Sequence, residues 1–251
     1  MDFQVQGGTT PVVVVTLRPG EQIGSEAGEL GWLRGDIAIA TGTSVAGQSG
    51  GFLKAAKRAL GGSFFVQEFT AGSGGGEVTF AAKAPGQIRA VEISPGRDVI
   101  VHENGLVCFE TGVSLETHLQ KKLGVGAFGG TGFTLQRLSG SGRAYVELHG
   151  DVVEFDLAPG EKLRSSPGHV GLFDASVTLN LTTIPGIKNK LFGGDGLFLT
   201  ELVGPGKVWL QSITLAGLAQ ALSPYLVSNK EVGEGTALAG GAALLGSLLK
   251  K

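Results

Sequence analysis

The chain is poor in the residues that most often declare a function. It has one cysteine, Cys108, which excludes an intramolecular disulfide framework and suits a reducing compartment. The GLVCFE alternation around that thiol places it on a strand as a small buried group. Lysine plus arginine (20) nearly balances aspartate plus glutamate (22), so no global attraction to nucleic acid or acidic lipid exists and any such contact needs a local patch. The opening MDFQVQGGTTP has neither a basic n-region nor an apolar core, so no secretory signal is expected. The longest uncharged run, Gly235–Leu249, would span about 22 Å as a helix against a hydrocarbon core of roughly 30 Å, which argues against a simple transmembrane span. Aromatic residues are few, and Trp32 and Trp209 fall on strand-like patterns that predict packing rather than base stacking.

Catalytic motifs are equally thin. Gly47-Gln48-Ser49-Gly50-Gly51 matches the G-x-S-x-G elbow, but a nucleophilic Ser49 needs an α/β setting with an acid and a histidine brought against it. Gly124, Gly126 and Gly129 match G-x-G-x-x-G, yet they lead into a strand rather than opening a helix. The four histidines, His102, His118, His149 and His169, are scattered, and His102-Glu103-Asn104 supplies only one imidazole of the pair a cupin-type site requires. No enzyme, metal or cofactor is expected on these grounds.

Glycine is what the chain has in excess, 44 residues with 9 prolines, spread between short apolar runs. This composition predicts many short strands joined by tight turns. The runs repeat. The grammar of VVVVTL before Pro19-Gly20 returns as VEIS before Pro95-Gly96 and as VEFDLA before Pro159-Gly160, each with an apolar residue two before the proline (Leu17, Ile93, Leu157) and another three after the glycine (Ile23, Val99, Leu163). Pro-Gly suits a type II turn, proline setting φ and glycine taking the positive φ that follows. A second element also occurs three times: GGSFFVQEFTAGSGGGEVTF (61–80), GGTGFTLQRLSGSGRAYVEL (129–148) and LFGGDGLFLTELVGPGKVWLQ (191–211), each read as a β-hairpin with a Gly-rich turn.

Three repeats, about 12–82, 89–149 and 153–212, thus make a single β domain over 1–226, with a linker and apolar, helical tail over 227–251. Period-two alternation makes one side of each strand apolar, and three such sheets would stay dry by meeting about a shared axis. The expected fold is all-β, a pseudo-threefold β-prism or double-stranded β-helix with short helical connectors. Those connectors carry Lys54, Lys57, Arg58, Lys121, Lys122, Lys188 and Lys190, which could gather at one end as an anion or nucleic-acid surface or be solvated helix faces. In the tail, Leu238, Ala242, Leu245 and Leu249 form a stripe for docking on protein or for interfacial membrane contact.

The segments GGSFFVQEF and GGDGLFLTEL, the closing GPGKVWLQS and the PG-containing strands resemble the Altered-Inheritance-of-Mitochondria "twenty-four" (mitochondrial biogenesis) family of β proteins. The resemblance covers roughly Phe3 to Leu222. It implies a fold grouped with the tryptophan RNA-binding attenuation protein, offers no catalytic residues to carry over, and implies a prokaryotic member where no targeting peptide is present. The functional expectation is a non-enzymatic, homo-oligomeric scaffold or interaction protein of the cytoplasm, peripheral to membranes or bound to a protein partner. The alternatives are a nucleic-acid or anionic-ligand module using the basic connectors, and an enzyme whose site, at Ser49 or around His102, is assembled only in space.

Overall fold

The computed structural model describes residues 1–42, 66–121, 133–183 and 198–225. It is an all-β structure. Among the described residues seventeen strands form an eight-stranded, a six-stranded and a three-stranded sheet, followed by one short α-helix, α1 (Leu215–Leu222). Met1–Leu218 is one compact unit, and the chain from Ala219 onward belongs to another.

One pairing plan is executed three times. In the first repeat, β2 (Val12–Leu17) and β3 (Gln22–Glu26) flank the Pro19-Gly20 turn, and β4 (Leu30–Gly42) and β5 (Val66–Ala81) run antiparallel over their whole length. β2 pairs with the C-terminal half of β5 and β3 with its N-terminal half. In the second repeat the matching pieces are β6 (Gly86–Ile93), β7 (Val99–His102), β8 (Leu106–Glu110), β9 (Val113–Lys121), β10 (Phe133–Gly140) and β11 (Gly142–His149). In the third they are β12 (Val152–Leu157), β13 (Lys162–Ser165), β14 (Val170–Asp174), β15 (Thr178–Thr183), β16 (Phe198–Val203) and β17 (Gly206–Gln211). β1 (Asp2–Gln6) adds to β2 at the outer edge of the first repeat.

The Pro-Gly turns form for the reason the sequence gives. Gly20, Gly96 and Gly160 take φ of +77°, +83° and +80°, where a side chain would be strained, and each turn closes with an N–H···O bond: Glu21 to Arg18 (3.0 Å), Arg97 to Ser94 (2.8 Å) and Glu161 to Ala158 (2.9 Å).

The Gly-rich stretches behave differently from the hairpins expected of them. β10 pairs with β7 and β9, whereas β11 pairs with β6 and β8, so the two successive strands lie in different sheets and do not face each other. β16 and β17 repeat this arrangement, and in the first repeat AGSGGG is simply part of the uninterrupted β5. Glycine here permits a strand to pass a corner between two sheets, as at Gly140 and Gly142 with φ of +99° and +141°, rather than to double back. Each repeat is therefore a ribbon bent across two sheets. One half-sheet carries β2, β6 or β12; the other carries β3, β7 or β13.

The half-sheets join between repeats. β3 pairs with β8, merging the later half of repeat one with the earlier half of repeat two. β7 pairs with β14 in the same way. These two seams explain why the shared strands are buried on both faces, where one wet side was expected: Ala144, Val146 and Leu148 of β11 enter one core, and Tyr145 on its opposite face enters another.

Candidate functional site

Two features stand out from this framework: a buried polar cluster where repeats one and two meet, and a third seam that is not closed.

The cluster is built from strand ends. Glu147, wholly buried on β11, accepts backbone N–H bonds from Lys83 (3.0 and 3.1 Å) and Ala84 (2.9 Å), the linker between repeats one and two. Burial pushes its carboxyl up, but the His149 ring and those two N–H groups outweigh this and hold it below the usual carboxylate range. His149 Nε2 lies 3.3 Å from Glu147 Oε1 without hydrogen-bond geometry, and neither ring nitrogen has a hydrogen-bond partner among the described residues. The His102 ring stacks edge-on at 5.2 Å from the His149 ring, and its Nε2 lies 3.1 Å from the Glu147 carbonyl oxygen. Burial, reinforced by His149, lowers His102 to about 4, so this imidazole is neutral at physiological pH.

Two further carboxyls border the group. Glu29 is buried against the Lys83 ammonium, and Glu26 accepts from the Gln136 amide. Burial raises both to about 7, overcoming Lys83 in one case and Gln136 in the other. Among the described residues, no group of three or more His, Cys, Asp or Glu is placed to hold a metal ion.

The role of Glu147 is revealed by its counterpart. Gln211 occupies the equivalent position on β17; its Oε1 accepts from the His149 N–H (2.9 Å) and its Nε2 donates to Gly168 O (3.0 Å). Both side chains seat the linker that enters their own repeat. Glu147 is thus a structural acceptor first. Its signal in the sequence was a charged residue sharing the alternation parity of the inward Tyr145 within AYVELH.

The open seam is defined by the other two. At the first closed seam Ile23, Gly24 and Ser25 face Glu110, Phe109 and Cys108; at the second Val99, Ile100 and Val101 face Asp174, Phe173 and Leu172. The residues equivalent to the second member of each pair are Arg34, Leu33 and Trp32 on β4, because Trp32 lies opposite Thr79 as Cys108 lies opposite Tyr145 and Leu172 opposite Trp209. The residues equivalent to the first member are Leu163, Arg164 and Ser165 on β13. Yet among the described residues β13 has β16 as its one hydrogen-bonded neighbour and forms the edge of the three-stranded sheet, and β4 pairs only with β5.

Burial follows the pairing. Cys108 and Leu172 are 0% and 2% exposed, whereas Trp32 is 55% exposed, which corrects the packed role expected of it. Trp209 is partly buried against the core of the second repeat.

Of the other residues singled out from the sequence, Lys54, Lys57, Arg58, Lys122, Lys188, Lys190, Leu238, Ala242, Leu245, Leu249, Ser49, Gly124, Gly126 and Gly129 lie outside the described residues. Lys121 ends β9, its backbone in register with Phe133. His118 is exposed on β9, and His169 Nδ1 lies 2.7 Å from Gln211 O. Cys108 is buried, and burial pushes its thiol up, away from reactivity. No helix among the described residues is long and apolar enough to cross a membrane.

Comparison with known proteins agrees with this architecture. The X-ray structure of a Streptococcus pyogenes protein superposes with a TM-score of 0.68 at 19% identity, over 90% of this chain and 99% of that one, a likeness of fold. No curated protein matches. The family model described as mitochondrial biogenesis AIM24 matches residues 3–213, nearly the whole of the repeated β structure, and the chain belongs to that family.

Proposed function

We propose that this protein is a non-enzymatic scaffold that works as a homo-oligomer. The observation that carries the reading is the unequal treatment of three equivalent seams: two are closed within the chain, and at the third the β4 and β13 edges have no strand partner among the described residues. An unpaired edge is a row of unsatisfied backbone donors and acceptors, a standing template for another strand. Glu147, the buried carboxylate a catalytic reading would draw on, is engaged in seating a linker, which supports a binding role over a catalytic one.

The bent ribbons and shared sheets also support a double-stranded β-helix kinship of the kind seen in the tryptophan RNA-binding attenuation protein, with the three repeats about a pseudo-threefold axis. Location in the cytoplasm, with contact to membranes from outside, completes the reading. Size-exclusion chromatography with light scattering tests it. At micromolar concentration the mass is expected to exceed that of one 25.6 kDa chain. A strict monomer across that range overturns the scaffold.

A further inference from the structure

We infer that the open seam is filled by a second copy of this chain, head to tail: β13 of one molecule adds antiparallel to β4 of the next, with Leu163 opposite Arg34, Arg164 opposite Leu33 and Ser165 opposite Trp32. The inference deepens the oligomeric reading above and rests on it, but it commits to one surface, one partner and one register.

The register is taken from the molecule itself. Both closed seams join the strand after the Pro-Gly turn to the strand after the next repeat's second turn, and in each the central pair places an aromatic ring inward, Gly24 with Phe109 and Ile100 with Phe173. The open edges continue the same ladders. β13 is held by β16 as β3 is by β5, and the β4 edge is held by β5 as β8 is by β11. Joining them gives a sheet ordered β15-β16-β13-β4-β5-β2, the counterpart of β9-β10-β7-β14-β17-β12 within the chain.

The side chains fit this partner. At the closed seams the residue equivalent to Trp32 packs on the core of the preceding repeat: Cys108 on that of the first repeat and Leu172 on that of the second. Among the described residues no repeat precedes Trp32 to offer it such a core. The third repeat holds the matching uncovered surface, Leu163, Leu179 and Leu181, all only partly buried. Ser165, the residue opposite Trp32, is small and leaves room for the indole to reach those leucines. Leu33, on the other face, already packs with the core of its own repeat, as Phe109 and Phe173 do with theirs.

The charged residues at the seam do not oppose closure. Lys162 and Arg164 both pair with Glu201 of β16 (3.2 and 2.7 Å), and Arg34 pairs with Glu77 of β5 (3.5 Å). That last pair reproduces Arg143 with Glu110 (2.9 Å) at the first closed seam with the charges exchanged. Such an interface is heterologous: each chain offers one β4 edge and one β13 edge, so association proceeds to a ring or a filament and does not stop at an isologous dimer.

Two singly disabled chains test this. Trp32→Asp removes the β4 partner and leaves β13 intact; Leu163→Asp removes the β13 partner and leaves β4 intact. Each is expected to be monomeric alone by light scattering, and their mixture is expected to give a one-to-one pair and nothing larger. Thermal melting followed by circular dichroism checks that each variant is folded, and Leu163→Asn replaces Leu163→Asp if the latter loses its transition. A Trp32→Cys, Ser165→Cys double variant in a Cys108→Ala background should form disulfides between chains on mild oxidation, because opposed residues of an antiparallel pair sit about 4.5–5.5 Å apart.

If wild-type protein assembles and both variants assemble equally well, the scaffold stands and this seam is not its interface. If only Trp32→Asp disrupts assembly, the contact is between two β4 edges and the head-to-tail register is wrong. Cross-linking confined to single chains would mean that the seam closes within one molecule, which overturns the proposal; a monomeric wild type removes this inference together with the scaffold reading.

Discussion

The closed seams and the open one are built to the same plan, but they distribute their large and small side chains differently. Phe109 and Phe173 stand where the open seam has Leu33, and Cys108 and Leu172 stand where it has Trp32. The interior seams thus place the large ring on the side of their own repeat and a smaller group toward the preceding repeat. The open seam reverses this, keeping the smaller leucine at home and turning its largest side chain outward. An interior interface is optimised by packing density, whereas an edge can invest in one large anchor, the residue class that dominates association energetics.

The contrast is broken most severely at the interior. Phe173→Ala empties a site that is 0% exposed and is expected to cost about 3–5 kcal/mol in urea unfolding, whereas Leu33→Ala, at the half-buried equivalent, should cost about 1–2 kcal/mol. Equal losses would mean that the third seam is as tightly packed as the others. Next in size is Glu147→Leu, which strands the Lys83 and Ala84 N–H groups and should destabilise by about 2–3 kcal/mol, with faster hydrogen exchange confined first to those amides. Loss of stability without that local exchange would contradict the seating role.

A third effect appears in the pH dependence. In the folded chain Glu26 titrates at about 7, against 4.5 for an ordinary glutamate, so between these values the folded state holds a proton that the unfolded state has released. Its contribution is fully present below 4.5 and is lost as the pH rises through 7. Wild-type stability should therefore fall relative to Glu26→Gln over that interval, as read from denaturation midpoints. His102 acts in the opposite direction: lowered to about 4 from 6.5, it contributes above 6.5 and its contribution is lost as the pH falls through 4. A wild-type profile sums these slopes with that of Glu29, which is raised to about 7 as well, and the difference between the two chains isolates the Glu26 carboxyl. The smallest effect is expected from Trp32→Ala, within about 0.5 kcal/mol on the dissociated chain, since an exposed side chain contributes little to its own fold.

Much of this architecture is visible in the residues because its turns are local. Pro-Gly fixes its geometry within four residues, and the alignment of Val78, Ala144 and Val208, or of Thr79, Tyr145 and Trp209, carries directly into equivalent pairings. The Gly-rich stretches misled for the same reason. A glycine run between two alternating strands reads as a hairpin when only neighbours in sequence are weighed, yet the partners of β10 and β11 come from elsewhere in the chain. The buried cluster was hidden for a related cause, because Glu26, Glu29, Lys83 and Glu147 are drawn from both sides of a seam whose existence depends on distant pairing. Trp32 stood on a strand pattern like those of its buried equivalents, yet among the described residues no strand of another repeat pairs over it.

The linkers carry one more consequence. Lys83 is held by a side chain 64 residues ahead of it and His149 by one 62 residues ahead, each belonging to the repeat that comes next. During synthesis, then, no junction can lock until the following repeat has left the ribosome. The nascent chain is fastened from its growing end backward, and a message truncated just past the linker that follows the first or second repeat would release a protein whose last joint has nothing to grip it.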